Sequence, residues 1–554
     1  MITEICSVKV ATIPNTMTLI VPSHFQLATA TIFGASGHLL YFIKGEHHLT
    51  TPVILLTYTG IFLFTAWFQA IANQWSIGTA CYYASIFLGT HLAALFSSMI
   101  FYRLFFHPLR YFPGPLDMRI SKLSHVFRLL RNRSKNYELL EKLRHQYGEF
   151  VRTGPNELTI FHPDILNLAT RPGNEMQRSD WYDLLLPSEP MATTRNRPDH
   201  DARKKIFDRA FKKGALTETN DRITEHVRKL ESYIAATEGH PVEIDKPLFW
   251  ISFDIMGDFA FGRSFNTLAD EKWRYAGDLL RDFMALLGPL TPVPWLCRFG
   301  MHVPKLSDPW FDFKNWCIKR CQERLENDVK DDIFHWMMND TGVRIPQDKI
   351  EGDAIAIIIA GSDTSASVLV FLFYFLASRP SLQQDLRAEL TNVGDVWNLS
   401  NLEPLPLLNA TISETLRLYP PIPSSGLRST GPSGLTVGDT FIPPGVTIAM
   451  PPYSFGRLED CYERAEEFIP KRWTTETHLI KNRKAYHPFG KGRFSCPGRA
   501  LALRELRLIV AVLLTRYNVS LAPGEDGQKL FRDLKDEFVF APGELHLCFA
   551  RRDI

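Results

Sequence analysis

Cysteine is scarce in this chain: eight residues in 554, scattered from Cys6 to Cys548. That scatter excludes the dense disulfide framework of small secreted scaffolds. Cys317 and Cys321 stand four apart, on one helical face, but no companion ligands accompany them, and they read as ordinary helix residues. Net charge is also small, +2, so the bulk electrostatic case for a nucleic-acid partner fails. Internal repeats and low-complexity tracts are missing, and so is any flavin- or nicotinamide-binding signature. What remains is a chain with 45% hydrophobic content, enough for one large globular unit or two smaller ones.

The most informative absence is local. No Asp, Glu, Lys or Arg occurs from Val10 to Ile43, or from Pro52 to Tyr102. About 20 consecutive apolar residues cross a bilayer. The sequence therefore predicts three spans, near Phe25–Ile43, Pro52–Ala72 and Thr79–Tyr102. The first is the weakest, interrupted by Gly34, Gly37 and His38. A cleaved signal peptide would need one short apolar run after a basic start. Basic residues gather after the last span, at Arg103, Arg110 and in "RLLRNRSKNYELLEKLR" (Arg128–Arg144), and positive charge marks the cytoplasmic side. Three spans then put the N-terminus in the lumen. The expected division is a membrane region over residues 1–112 and a cytosolic domain over 113–554, joined by the proline-stiffened "PLRYFPGP" (Pro108–Pro115).

Within the globular part, Tyr147–Pro163 alternates apolar and polar residues around Gly154–Pro155 and reads as a hairpin. Most of the rest is helical in pattern. "DAIAIIIAGSDTSASVLVFLFYFLASRP" (Asp353–Pro380) reads as one long buried core helix, since the polar Gly361–Thr364 break would be resisted in lipid. "LPLLNATISETLRLYPP" is a second helix, ended by Pro420 and Pro421. "RALALRELRLIVAVLLTRY" (Arg499–Tyr517) reads as an amphipathic third.

One cysteine sits in an unusual place. "FGKGRFSCPG" (Phe489–Gly498) puts Cys496 just before the Arg499 helix. There, unpaired N–H groups and the positive end of the helix dipole favour thiolate. Gly490, Gly492 and Gly498 permit positive φ and close backbone approach to something flat or bulky. Such a thiolate could serve as a nucleophile or a metal ligand. The loop holds no companion histidine on the right side for a nucleophile, His487 lying beyond Pro488. An axial ligand of haem iron needs no companion, because the porphyrin supplies the other four donors.

On these residues the chain resembles the cytochrome P450 superfamily, from about Pro113 to the C-terminus. Phe489, Gly492, Cys496 and Gly498 match the family's F-x-x-G-x-R-x-C-x-G haem signature. Phe494 occupies its arginine position and Arg493 lies one place earlier. Glu414 and Arg417 match the E-x-x-R pair. Arg472 in "FIPKRW" matches the third member of that network, and "AGSDTS" (Ala360–Ser365) matches the oxygen-binding helix motif. "HDARKKIFDRAF" resembles the family's W-x-x-x-R segment with His200 and Lys204 in the two key places. Arg428 resembles a further arginine that binds a haem propionate. The resemblance implies a mainly α fold with small β-sheets (α+β, the cytochrome P450 fold) behind N-terminal transmembrane helices. It implies haem b (heme b) held by Cys496 and bordered by Phe489, Gly492 and Gly498, with His200, Lys204 and Arg428 toward its propionates. Electrons would come from NADPH through a separate NADPH–cytochrome P450 reductase in the endoplasmic reticulum.

The expected reaction is oxygen insertion into a hydrophobic small molecule by a membrane-bound haem-thiolate monooxygenase, with molecular oxygen as co-substrate. The resemblance is strongest to filamentous-fungal members of secondary metabolism. Asp363 and Thr364 interrupt an apolar helix beside Gly361, and burying an unpaired carboxylate is costly. They are read as a proton relay. Tyr182–Thr194, Pro421–Gly426 ("PIPSSG") and Phe538–Gly543 are expected to line the substrate pocket. Two rivals stay open: oxygen-independent haem chemistry such as dehydration or isomerisation, and a non-enzymatic haem-binding membrane sensor.

Overall fold

The computed structural model of the protein describes residues 21–212, 220–326, 332–339, 345–424 and 426–553. These form two compact units that divide between His107 and Pro108. Cys6, the stretch from Val10 to Ile20 and the N-terminal end of the expected topology lie outside the described residues.

The first unit is three helices. Ser23 opens the first (His24–Gly37) with a capping box to Gln26, and Ser76 caps the third (Ile77–Phe105). The second covers Thr51–Ala72. The second and third are long and apolar enough to cross a membrane. The first expected span is not one continuous helix. Its 14-residue α-helix runs into a five-residue π-helical turn at His38–Phe42, just before the polar stretch that begins at Lys44. Polar side chains within the helices pair with one another: His38 Nδ1 meets Ser98 Oγ at 2.8 Å and Tyr58 Oη meets His91 Nε2 at 3.2 Å. Internal satisfaction of polar groups is what a lipid surround demands.

The second unit is built around the helix Gln347–Ala377, 31 residues and therefore about 46 Å long. By composition this helix also qualifies as a membrane span, but its most apolar window is 67% buried in the protein, against 6% and 17% for the two N-terminal helices. It is a core helix, as its polar break predicts. It packs on Asp245–Phe261, Asp308–Leu325 and Arg499–Arg516. At Gly361 the approach is close enough that a Cβ would stand 2.2 Å from Met256 Sδ. Cys317 and Cys321 are fully buried in Asp308–Leu325 and unpaired with each other.

The hairpin is present as Phe150–Gly154 against Glu157–Ile160, and it continues into a five-stranded sheet through Thr447–Ala449, Arg428–Ser429 and Gln177–Arg178. In the last pairing Arg178 stands opposite Arg428. The helix Arg499–Arg516 corrects the amphipathic expectation. From Leu506 to Leu514 nearly every side chain is buried, and so are Arg504 and Glu505. Helices Asn220–Ala235 and Pro380–Thr391 and the central helix surround it, so it has no wet face there.

Glu414, on the helix Pro406–Leu418, anchors a buried network. Arg417 Nη2 donates to it at 2.7 Å, Arg472 Nε at 2.9 Å, Trp473 Nε1 at 2.9 Å and the Ile469 N–H at 2.8 Å. Burial acts to raise the Glu414 carboxyl, but the two guanidinium groups outweigh it and hold the carboxyl below its usual value. The network ties Ile469–Trp473 to the helix and fixes the chain that leads into the Cys496 loop.

Candidate active site

A cavity of about 820 Å³ lies between the Cys496 loop and the central helix. Cys496 is exposed, but to this cavity. Its N–H donates to the Phe489 carbonyl at 2.8 Å. Gly490 and Gly492 adopt φ of +64° and +68°, and a Cβ on Gly492 would stand 2.5 Å from the Thr170 carbonyl oxygen. Gly498 departs from the expectation of positive φ. It sits at −75° as the cap of the Arg499 helix, where a Cβ would make only ordinary contact with Cys496 Sγ at 3.9 Å. The helix start acts in the expected direction but does not prevail. Burial raises the Cys496 thiol, while the N–H groups of Gly498 and Arg499 and the charge of Lys204 act in the opposite direction; burial is the larger influence.

Thr364 lines the same cavity, its hydroxyl donating to the Ala360 carbonyl at 2.6 Å. Asp363 does not. It lines a second cavity of about 200 Å³ with Asp245, Arg281, Ser367 and Glu537. Adjacent helix positions point about 100° apart, so the two residues face different spaces rather than one. Burial pushes the Asp363 carboxyl up to about 6, with Arg281 acting to lower it and Glu537 to raise it further.

The expected cations are distributed unevenly. Arg428 lines the large cavity. His200 and Lys204 do not reach its wall. His200 is buried one layer back, its Nδ1 3.0 Å from Asp201 and its ring edge-on to Phe494 at 4.8 Å. Lys204 is ion-paired to Asp208 on its own helix. Arg493, one place before the signature arginine position, pairs with Asp201. Phe494 instead carries guanidinium groups over its ring: Arg178 at 4.5 Å and Arg428 at 4.6 Å.

Tyr182–Thr194, Pro421–Gly426 and Phe538–Gly543 each contribute to the cavity wall, through residues such as Leu185, Met191, Ile422 and Phe538; Ser425 lies outside the described residues. Two acids were not singled out from the sequence. Glu505 lines the cavity from the Arg499 helix, and burial pushes it up to about 8 despite a hydrogen bond to Ser365. A lone glutamate in the run "RALALREL" was the available signal. Asp353 accepts from Arg203 Nη1 at 3.1 Å and from the Met191 N–H at 2.5 Å, tying the Tyr182–Thr194 segment to the central helix.

The residues fit a haem. The loop offers a cysteine at a helix start and glycines at the cavity wall, and the strand Arg428–Ser429 adds Arg428, which has no ion-pairing carboxylate among the described residues. Comparison with known proteins agrees. The cytochrome P450 family matches residues 102–549. A cytochrome P450 monooxygenase of Purpureocillium lilacinum is 34% identical over 96% of this chain and 99% of its own length. Tryprostatin B 6-hydroxylase of Aspergillus fumigatus is 33% identical over 95% and 96%. A crystal structure of a cytochrome P450 superposes with a TM-score of 0.65 at 19% identity, covering 76% of this chain and 95% of that one; at that identity it speaks for the fold. This chain therefore belongs to the cytochrome P450 family, which implies haem-thiolate iron, and it is a monooxygenase.

Proposed function

We propose that the chain is a membrane-bound haem-thiolate monooxygenase acting on a hydrophobic small molecule in a fungal secondary-metabolite pathway. The overall reaction is R–H + O2 + 2 electrons + 2 protons giving R–OH + water. The observation that carries this reading is that Cys496 and Thr364 open on one cavity of about 820 Å³. Haem b supplies the oxygen activation, which thiolate ligation favours.

The chain's own residues do the rest. Cys496 Sγ would ligate the iron, its charge supported by the N–H groups of Gly498 and Arg499. Gly492 lets the loop pack against the Thr170 carbonyl, and Gly492 and Phe489 would border the group from the cavity wall. Arg428 would hold a haem carboxylate. Thr364 keeps a hydroxyl at the oxygen side of the cavity, and Asp363 takes up protons from the second cavity for delivery across the helix. The apolar wall excludes water and orients the substrate. Tryprostatin B 6-hydroxylase among the relatives supports hydroxylation as the reaction type. Residues 1–112 anchor the chain in the endoplasmic reticulum, residues 113–554 face the cytosol, and NADPH–cytochrome P450 reductase delivers the electrons.

The test is spectroscopic and then catalytic. The ferrous protein should bind CO with the red-shifted band of thiolate ligation, and Cys496→Ser should abolish that band. With NADPH and the reductase the wild type should oxidise its substrate and the variant should not. A band that survived in Cys496→Ser would reject the assignment.

A further inference from the structure

Phe494 occupies the place where the family's signature carries a cation. The surroundings of its ring show where positive charge has gone. Arg178 and Arg428 are directly opposed across two paired strands. Each guanidinium lies over Phe494, and each also lies over Tyr182, at 4.9 Å and 5.4 Å. Like charges in opposed strand positions repel, and a buried charge needs a partner. Arg178 is 6% exposed. Its Nη1 donates to the carbonyls of Met191 and Thr194 at 3.0 Å and 2.6 Å, and its Nε has no hydrogen-bond partner among the described residues. Arg428 Nη1 donates to Tyr182 Oη and, at 3.0 Å, to the Leu427 carbonyl. None of these acceptors carries a full negative charge. Two cations share two aromatic rings with no carboxylate between them among the described residues. Phe494, Tyr182 and Arg428 all line the cavity that holds Cys496.

A pair arranged this way is completed by an anion from outside the chain. We infer that Arg178 replaces the cation missing at Phe494: through the Phe494 and Tyr182 rings it holds Arg428 against a haem carboxylate and supplies the second positive charge of that anion site. This rests on the haem-thiolate reading above. Arg178 is a positioning residue, since Phe494 and Arg428 stand between it and the cavity. Aromatic faces suit the task, because cation–π contact tolerates two guanidinium groups where direct packing would not. Burial and the neighbouring charges of Arg428 and Arg203 bring Arg178 down to about 10, with Tyr182 acting to raise it, the direction for a cation lacking its counter-ion.

The experiment uses the full chain in detergent, without substrate, and reads haem transfer to excess apomyoglobin together with the haem midpoint potential. Arg178→Gln should lose haem faster by on the order of tenfold, the scale of one charged contact. Its midpoint potential should fall, because a positive charge that favours the reduced iron is gone. Arg178→Lys should lie between. The double variant Arg178→Gln/Phe494→Arg restores a cation at the signature position, and both readouts should return toward wild type. An arginine at 494 replaces the charge and not the Met191 and Thr194 hydrogen bonds. A double variant as leaky as Arg178→Gln would therefore overturn the inference in favour of a purely structural role. Unchanged haem retention and potential in Arg178→Gln, whether or not substrate binding weakened, would also overturn it and give the anion site to a substrate carboxylate. A wild type lacking the red-shifted CO band would overturn both readings, whereas a wild type showing it beside an unchanged Arg178→Gln overturns this one alone.

Discussion

Asp363 and Thr364 are sequence neighbours that open on different cavities, Thr364 on the one with Cys496 and Asp363 on the one with Arg281 and Glu537. Their losses should therefore differ. Thr364→Ala should keep its haem spectrum and keep consuming NADPH, while product per NADPH falls and hydrogen peroxide rises. Asp363→Asn should slow turnover by on the order of 10²-fold or more, the scale of acid–base assistance, with less uncoupling. The ratio of product to NADPH consumed, measured on the true substrate, decides it. An unchanged ratio in Thr364→Ala would leave its bond to the Ala360 carbonyl as the only role of that hydroxyl.

Arg417→Ala should cost the fold rather than the rate. Arg417 and Arg472 both donate to Glu414, all three buried, and removing one partner of a buried pair costs roughly 3–5 kcal/mol. The expected outcome is little folded, haem-replete protein, read as the Soret absorbance per milligram of chain. A haem-replete variant with altered kinetics alone would show the network to be catalytic.

Glu505 makes stability depend on pH. Burial raises its folded value from 4.5 to about 8. Across that window the folded protein holds a proton that the unfolded chain has lost, so stability falls as pH rises and stays lower above about 8. Each unit is worth about 1.4 kcal/mol, so the total is on the order of a few kcal/mol. Glu505→Gln removes this slope. Its melting temperature relative to wild type should climb between pH 5 and 8.5, the range that spans the shift. Melting curves that stay parallel across that range would assign Glu505 an unperturbed carboxyl.

Membrane topology is checked with a glycosylation tag ahead of Phe25. Three crossings with Arg103 on the cytosolic side put that tag in the lumen, so it should be modified in microsomes. An unmodified tag would show that His24–Phe42, broken by its π-helical turn, does not span, leaving Thr51–Ala72 and Ile77–Phe105 as the two crossings.

The chemistry-bearing loop was legible in the sequence because its constraints are local. A cysteine before a helix start and glycines at positive φ are set by neighbours a few residues away. The charge-free N-terminal runs and the long core helix were legible for the same reason. The direction of individual side chains was not. Asp363 and Thr364 look like one unit in "AGSDTS", and only the packing of Asp245–Phe261 and Glu537 against the central helix reveals the second cavity. His200 and Lys204 matched a pattern, but Phe494 and Asp208 took up their side chains. Glu505 was hidden because the helix was read with a wet face, and enclosure by other helices is invisible to periodicity. Arg178 required the pairing of strands 250 positions apart (Arg178 and Arg428).

The cavity wall is also built from parts that tolerate change unequally. Its floor and the network beneath it are fixed by helices and buried ion pairs. Its roof comes from Tyr182–Thr194, Pro420–Ile422 and Phe538–Val539, segments largely outside regular structure. Loops of this kind accept insertions and substitutions that a packed core rejects. A changed roof can therefore alter which molecule fits the cavity while the helices and the Cys496 loop stay as they are. Asp353 sets the limit of that freedom. Because it pins Met191 to the central helix, a roof that keeps this carboxylate holds one end of the first segment in place and is free to vary along the rest.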